Sequence, residues 1–189
     1  MKEVVQKMIR IICQKACRQI NRVAAGFFTV FLMLGAVYAE NGLDDESKKR
    51  RVAEMYTAYR KSFPEISDLS PELVFKLLKH MDVVFVDVRD SKEQTVSMIP
   101  GALTHKNFLK DVDTYKGRTI ITYCTISYRS GKFASKLLKR GIHVINLRGG
   151  LLAWIHAGGP VHRNGIPVRK IHVYGKKWDL APSRYETIY

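Results

Sequence analysis

The stretch that decides the fold of this chain runs from residue 119 to residue 130 and reads Thr119-Ile120-Ile121-Thr122-Tyr123-Cys124-Thr125-Ile126-Ser127-Tyr128-Arg129-Ser130. Its first five residues form an apolar run typical of a buried β-strand, and a helical pattern over residues 131–140 follows it. Residues 124–130 are therefore predicted to join the end of a strand to the start of a helix.

A cysteine opens this loop, and an arginine follows it five positions later. Backbone N–H groups of such a loop and of the first helical turn converge on one point and favour negative charge there. Because the thiolate is the reactive form of cysteine, this position predicts that Cys124 is an activated sulfur nucleophile. The alternative is a small buried residue that ends a core strand, which is the commonest role of a free cysteine.

Three apolar runs predict strands that are buried on both faces of a parallel sheet, namely 83–86, 119–123 and 143–147. Helical patterns over residues 129–140 and 149–157 alternate with them. This alternation implies right-handed βαβ connections and an α/β fold, with an open, mainly parallel sheet flanked by helices. Ligands bind at the carboxyl ends of the strands in such a sheet, and Asp87 and Cys124 both fall there.

Four short motifs resemble the rhodanese family of sulfurtransferases. The active loop of that family is a cysteine, four residues and an arginine, usually followed by serine, as in residues 124–130. The other three motifs are Asp87-Val88-Arg89, Ile99-Pro100-Gly101-Ala102 and Gly149-Gly150-Leu151-Leu152-Ala153-Trp154. All four stand in the order and spacing of the family over about residues 68–162.

The resemblance implies a rhodanese-like sulfurtransferase in which Cys124 is catalytic. Cys124 would take sulfane sulfur from a donor such as thiosulfate or a persulfide, and would pass it to a thiol or cyanide acceptor. The expected substrate-binding residues are Thr125, Ile126, Ser127, Tyr128, Arg129 and Ser130. Asp87 and Arg89 would support the loop, with a purely structural salt bridge as the alternative for both.

Two features of the loop bear on its chemistry. Phosphatases and arsenate reductases that share this fold have five residues between cysteine and arginine, whereas this chain has four, which favours sulfur transfer. The family often has glycine where Ser127 stands, and a left-handed backbone would cost a serine about 1–2 kcal/mol. Ser127 therefore leaves open a second function, a non-catalytic binding module for a sulfur carrier or partner protein.

Residues 1–39 read as a signal peptide or membrane anchor. A basic segment precedes the uncharged run 23–39, and this run ends in a small residue, Ala39, as a signal peptidase requires. The protein is therefore expected to be exported to the periplasm, or anchored in the inner membrane and facing the periplasm. Cleavage would remove Cys13 and Cys17 and leave Cys124 as the remaining thiol.

The rest of the chain divides into a charged lead-in helix within residues 40–67, the domain at 68–162 and an aromatic extension at 163–189. The lead-in helix is expected over residues 44–63, and a second helix after the N-cap Ser70 should bury Leu73, Leu77 and Leu78. The extension could bind a partner, or it could pack back on the domain through Ile171, Val173 and Trp178.

The net charge of +15 suggests attraction to anionic small molecules or membrane surfaces. The basic residues are spread along the chain and form no nucleic-acid recognition motif, so no nucleic-acid partner is expected. The histidines do not have the spacing of a compact metal site: His105, His143, His156, His162 and His172. Neither a metal nor a cofactor is predicted, and the expected partners are a small sulfur donor and a thiol acceptor.

Overall fold

The computed structural model describes residues 42–189. The predicted signal or anchor segment, with Cys13 and Cys17, lies outside the described residues. In the part of the chain that is described, no helix has the length and apolar character needed to cross a membrane.

A five-stranded parallel sheet organises the domain, with the strand order β1-β5-β4-β2-β3. Its strands are β1 (Asp68–Leu69), β2 (Val83–Asp87), β3 (Leu103–Thr104), β4 (Thr119–Tyr123) and β5 (Ile145–Leu147). The predicted open parallel sheet is thereby confirmed. Strands β2 and β4 lie in its centre, so the residues that follow Asp87 and Tyr123 emerge side by side at one edge.

Helices cover both faces of the sheet, as the alternating pattern predicts. They are α1 (Asp45–Arg60), α2 (Pro71–Leu77), α3 (Ser91–Gln94), α4 (His105–Lys110), α5 (Tyr128–Leu138) and α6 (Gly150–His156), with 3-10 turns at Val112–Tyr115 and Lys176–Trp178. Successive strand residues point to opposite faces, so Phe85 and Ile121 join one hydrophobic core while Val84 and Ile120 join the other. Together these layers place the start of α5 at the carboxyl end of β4.

The C-terminal extension packs on the domain instead of leaving it. A hairpin of β6 (Val161–Arg163) and β7 (Ile166–Val168) leads into β8 (Lys170–His172), which pairs in parallel with β9 (Glu186–Ile188). Ile171 and Val173 are completely buried and belong to the same core as α6. Of the two roles that the sequence left open for this segment, the structure shows the packed one.

The lead-in helix begins after Asp44, whose carboxylate accepts a hydrogen bond from the N–H of Ser47 at 2.7 Å. It ends at Arg60, and its buried face includes Val52 and Met55. The predicted helix is confirmed, with its end three residues earlier than expected.

The predicted buried face of the second helix is wrong for Leu73 and Leu78, whereas Leu77 is half-buried. Leu73 and Leu78 are exposed, and Val74 is completely buried in their place. The reason is an aromatic contact, because Phe75 packs on Trp154 with 4.7 Å between the ring centroids. This contact fixes the rotation of α2 and turns Leu73 and Leu78 towards solvent.

Asp68 in β1 connects the lead-in helix to the sheet. Its Oδ2 accepts hydrogen bonds from the Tyr56 hydroxyl at 2.7 Å and from Arg60 Nε at 2.8 Å, while its Oδ1 accepts one from Arg148 Nη2 at 2.6 Å. Burial alone would raise the pKa of Asp68, but these three donors outweigh it and lower the pKa below its usual value. The ionised carboxylate therefore stabilises the fold.

We predict that Asp68→Asn lowers the free energy of unfolding by about 1–3 kcal/mol, because hydrogen bonds to a charged acceptor are lost. The lowered pKa means that this contribution is complete above about pH 4 and is lost as the pH falls through the folded-state value. Urea denaturation at several pH values should show the two proteins converging in acid.

Asp82→Asn is the matched control, because Asp82 forms an ion pair with Arg118 in which the Asp82 side chain is 69% exposed. Its loss should change stability by less than about 0.5 kcal/mol. Equal destabilisation by both variants would contradict the role given to Asp68.

Candidate active site

Cys124 lies at the end of β4, beneath a cavity of about 330 Å³. Its side chain is almost completely buried, and it is the free cysteine of the described residues. The residues that line this cavity are Tyr59, Cys124, Thr125, Ile126, Tyr128, Arg129, Tyr174 and Trp178. The predicted nucleophile thus faces a pocket that can hold a small molecule.

The start of α6 forms hydrogen bonds to the loop that begins at Cys124. The N–H of Leu151 donates to the carbonyl of Cys124 at 2.9 Å, and the N–H of Leu152 donates to that of Thr125 at 3.1 Å. This approach requires glycine at position 150, where φ is +59° and a Cβ atom would lie 2.9 Å from the carbonyl carbon of Thr125. Gly150 of the Gly149-Gly150 motif therefore allows α6 to approach and hydrogen-bond the active loop.

These two bonds also fix the direction of the loop N–H groups. The described residues contain no cis peptide, and in a trans peptide the N–H points opposite to the C=O. The N–H groups of Thr125 and Ile126 therefore point away from α6. Within residues 42–189 no atom accepts a hydrogen bond from the backbone N–H groups of residues 125–130. The loop and the first turn of α5 thus present a run of unpaired donors, which is an arrangement that binds anions.

Ser127 adopts the left-handed conformation that the sequence suggested, with φ at +73°. Its hydroxyl donates to the carbonyl of Leu147 in β5, and its own carbonyl accepts a hydrogen bond from Asn146 Nδ2 at 3.1 Å. These contacts offset the cost of the left-handed backbone at Ser127.

Ser127 and Ser130 are not among the residues that line the cavity, so their predicted contact with substrate would have to come from their backbone N–H groups. Both are completely buried, and the hydroxyl of Ser130 donates to Asn146 Oδ1 at 2.7 Å. The physical reason is that α5 packs on β5, where these hydroxyls meet buried acceptors. Their backbone N–H groups still belong to the unpaired run, whereas Thr125, Ile126, Tyr128 and Arg129 line the cavity itself.

Arg129 is held by a carboxylate that the sequence analysis missed. Its Nη1 and Nη2 donate to the two oxygens of Glu93 at 2.6 and 2.7 Å, and Nη2 also reaches Thr125 Oγ1 at 3.2 Å. Glu93 is completely buried, and its carboxylate also accepts hydrogen bonds from the Thr125 hydroxyl at 3.1 Å and from the N–H of Asp90 at 3.0 Å, with which it forms a capping box at α3. The Asp-x-x-Glu spacing was the available signal for this residue.

The charges of this pair shift both pKa values. Burial alone would raise the pKa of Glu93, but the hydrogen bonds from Arg129 and Asp90 lower it below its usual value. Burial alone would lower the pKa of Arg129, but Glu93 and the nearby Cys124 outweigh it and raise the pKa above its usual value. Both groups are therefore ionised at neutral pH, and the guanidinium of Arg129 carries a positive charge at the edge of the cavity.

Asp87 and Arg89 form a buried salt bridge and do not contact the active loop directly. Arg89 Nη2 donates to Asp87 Oδ2 at 2.7 Å and to the carbonyl of Ser97 at 2.5 Å, and neither side chain has exposed surface. A buried guanidinium requires a carboxylate, and Asp87 supplies both of its oxygens. Direct support of the loop comes from Glu93, and of the two roles considered for Asp87 and Arg89 the structure shows the structural one.

Comparison with known proteins agrees with this geometry. The model of the rhodanese-like domain family matches residues 70–157. A sulfurtransferase of Allochromatium vinosum is 34% identical over 96 residues, which cover 49% of this chain and 90% of that protein. A tRNA uridine(34) hydroxylase of Buchnera aphidicola is 30% identical over 110 residues, which cover 53% of this chain and 33% of that protein.

The structure of a thiosulfate sulfurtransferase from Pseudomonas aeruginosa has the same fold, with a TM-score of 0.50 at 22% identity. The match covers 61% of this chain and 23% of that one. The chain belongs to the rhodanese-like domain family, and its parallel sheet flanked by helices has the fold of that family. Tyr59, Tyr174 and Trp178, which line the cavity, lie outside the matched residues 70–157.

The hydrogen bond of Ser127 generates a prediction for two variants. Ser127→Ala keeps the strain of the left-handed backbone and leaves the Leu147 carbonyl unpaired, so it should cost about 1–2 kcal/mol of stability. Ser127→Gly loses the same bond but removes the strain, so its stability should lie within about 1 kcal/mol of the wild type. Urea denaturation of the three proteins measures both, and a glycine variant less stable than the alanine variant would contradict this explanation.

The ion pair of Arg129 generates a second prediction. Glu93→Gln should lower the free energy of unfolding by about 3 kcal/mol, because it leaves a half-buried guanidinium without its carboxylate. Asp90→Asn is the control, since the Asp90 carboxylate is exposed, lies 3.5 Å from Arg129, and asparagine also caps helices. The control should change stability by less than about 0.5 kcal/mol, and similar losses in both variants would show that Glu93 has no special role.

Proposed function

We propose that this protein is a sulfurtransferase that carries sulfane sulfur as a persulfide on Cys124. The observation that carries the proposal is the run of unpaired N–H groups from residue 125 to residue 130, next to a buried thiol at the base of a cavity. A persulfide extends the side chain by one sulfur and places its negative charge beyond Sγ. Converging N–H groups stabilise charge at such a position.

The transfer consists of two displacements at sulfur. The Cys124 thiolate attacks the outer sulfur of the donor, a new S–S bond forms, and the donor's own bond to that sulfur breaks. The leaving group departs with the electron pair, as sulfite from thiosulfate or as a thiolate from a persulfide. An acceptor thiolate or cyanide then attacks the outer sulfur and restores the Cys124 thiolate.

The name of one relative supports sulfur transfer as the class of reaction, while the donor and the acceptor are part of our proposal. The relative that this chain covers almost entirely is named a sulfurtransferase. The chain spans only 33% of the length of the tRNA uridine(34) hydroxylase, so the activity of that whole protein is not extended to this one. Thiosulfate and persulfides are the proposed donors, and small thiols or a protein sulfur carrier are the proposed acceptors.

A binding module with the same fold is the second function considered. It would use the cavity to hold a sulfur carrier or partner protein without forming a covalent intermediate. The ionised Arg129 and the unpaired N–H groups favour the enzyme, because a module that only holds a partner needs neither at a buried cysteine.

Export to the periplasm, with cleavage after Ala39 or retention as an inner-membrane anchor, is part of the proposal. It rests on the basic segment and the uncharged run at residues 23–39. Sequencing the N-terminus of the exported protein would distinguish a start at Glu40 from an uncleaved chain.

The test is mass spectrometry of the wild type and of Cys124→Ser after incubation with thiosulfate or a small persulfide. We expect the wild type to gain one sulfur atom on the peptide that contains Cys124, and cyanide to remove it as thiocyanate. Serine is nearly isosteric but cannot form a persulfide, so the variant should fold and remain unmodified. Absence of an adduct with every donor would favour the binding module.

A phosphatase assay provides the specificity control. Four residues between Cys124 and Arg129 should make the cradle too small for phosphate, so we expect no turnover of aryl phosphates. Robust phosphatase activity would contradict the proposal, because it would show that the cradle accommodates a tetrahedral anion.

A further inference from the structure

Aromatic rings make up half of the lining of the cavity above Cys124. Four of its eight lining residues are aromatic, namely Tyr59, Tyr128, Tyr174 and Trp178. Three of them come from segments outside residues 70–157: Tyr59 from the lead-in helix, and Tyr174 and Trp178 from the C-terminal extension. The two ends of the described chain therefore complete the pocket that the family domain begins.

The backbone that carries Tyr174 is held in place by the fold. Ile171 and Val173, which precede Tyr174, are completely buried, and the N–H of Tyr174 donates to His172 Nδ1 at 3.0 Å. Tyr174 has a φ of +72°, a conformation that a tyrosine keeps only when its surroundings impose it. Rigid aromatic walls lose little entropy on binding, so they can contribute to selectivity.

The rings also contact one another in pairs. Tyr174 lies 5.3 Å from Trp178, and Tyr59 lies 5.3 Å from Tyr128, measured between ring centroids. Tilted contacts at this separation are the preferred geometry of aromatic pairs, and an aromatic ligand can extend them.

The charge of the pocket does not suit a small dianion. Among the described residues that line it, Arg129 is the charged one, and both carboxylate oxygens of Glu93 already bind its guanidinium. The ring of Tyr174 covers the same group, with 4.6 Å between Cζ and the ring centroid. Thiosulfate carries a strongly hydrated sulfonate, and desolvation of that group needs free donors or cations that this pocket lacks beyond the loop N–H groups.

We propose that Tyr59, Tyr174 and Trp178 make this site selective for sulfane-sulfur donors that carry an aromatic group, in preference to thiosulfate. This inference rests on the proposed sulfur transfer. The outer sulfur of such a donor sits on the N–H groups of residues 125–130, while its ring packs among the aromatic residues above. A cavity of about 330 Å³ has room for both parts.

An arenethiosulfonate, a salt of Ar–SO₂–S⁻, is the simplest probe of this kind. The Cys124 thiolate attacks the terminal sulfur, and an S–S bond forms while the bond between that sulfur and the sulfonyl group breaks. The arenesulfinate leaves with the electron pair, and cyanide then removes the sulfur as thiocyanate. The sequence of steps consumes no oxidant or reductant.

The experiment compares benzenethiosulfonate with methanethiosulfonate, which carry the same charge and the same transferable sulfur but differ in the ring. We measure kcat/KM for thiocyanate formation with each donor and with thiosulfate. The expected ratio of kcat/KM for the benzene donor to that for the methane donor is about tenfold or more, and the benzene donor should also exceed thiosulfate.

Trp178→Ala should remove about three- to tenfold from kcat/KM for the benzene donor and change that for the methane donor by less than about twofold. If Trp178→Ala does not fold, Trp178→Leu replaces it, because leucine keeps an apolar side chain at this position but removes the ring. Tyr189→Ala is the control, because Tyr189 is an exposed aromatic residue of the same extension and does not line the cavity. Tyr189→Ala should leave unchanged the ratio of kcat/KM for the benzene donor to that for the methane donor.

Two results would overturn the inference while the proposed function stands. One is a wild-type ratio near unity or a preference for thiosulfate, with Cys124 forming a persulfide from the donors. The other is a ratio that Trp178→Ala and Trp178→Leu leave unchanged. Failure of every donor to modify Cys124 would overturn the proposed function together with the inference.

Discussion

Two hydrogen bonds from the start of α6 determine how the active loop works. The N–H groups of Leu151 and Leu152 bind the carbonyls of Cys124 and Thr125, so the peptide groups of the loop are oriented with their N–H groups away from α6. Gly150 permits this approach because any side chain there would collide with the loop. The anion-binding character of the site therefore depends on a helix more than twenty residues later in the chain, as much as on the loop sequence itself.

The electrostatics follow from the same geometry. The carbonyls of Cys124, Thr125 and Ser127 accept hydrogen bonds from other elements, whereas the loop N–H groups are unpaired. Arg129 adds a positive charge that Glu93 holds in position. The buried carboxylate fixes the guanidinium and reduces its availability to substrate at the same time. The site thus combines strong stabilisation of charge at the outer sulfur with an aromatic surface around the rest of a donor, which separates the two tasks of reactivity and selectivity.

Much of the fold could be predicted from the sequence because it depends on local patterns. The apolar runs around Val86 and Ile121 and the cysteine between a strand and a helix each carry a signal within a few residues. Tyr59 and Trp178 carry no such signal, because their place at the site depends on tertiary packing of separate segments. Glu93 has the spacing of a capping box, but its contact with Arg129, 36 residues later, is not visible in a local pattern. The prediction of which face of α2 is buried was wrong for a related reason, because the contact between Phe75 and Trp154 overrides the leucine spacing. Ser127 shows the opposite case, in which the sequence identified the strained position and the structure supplied the hydrogen bond that relieves it.

The central claim is that the N–H groups of residues 125–130 stabilise the outer sulfur of a Cys124 persulfide. Two-dimensional ¹H–¹⁵N NMR of the labelled protein, recorded before and after sulfur loading, tests it at each amide. We expect the amide protons of residues 125–130 to move downfield on loading and to return when cyanide removes the sulfur, while those of Leu151 and Leu152 stay in place. Loaded protein in which the loop amides do not move would contradict it.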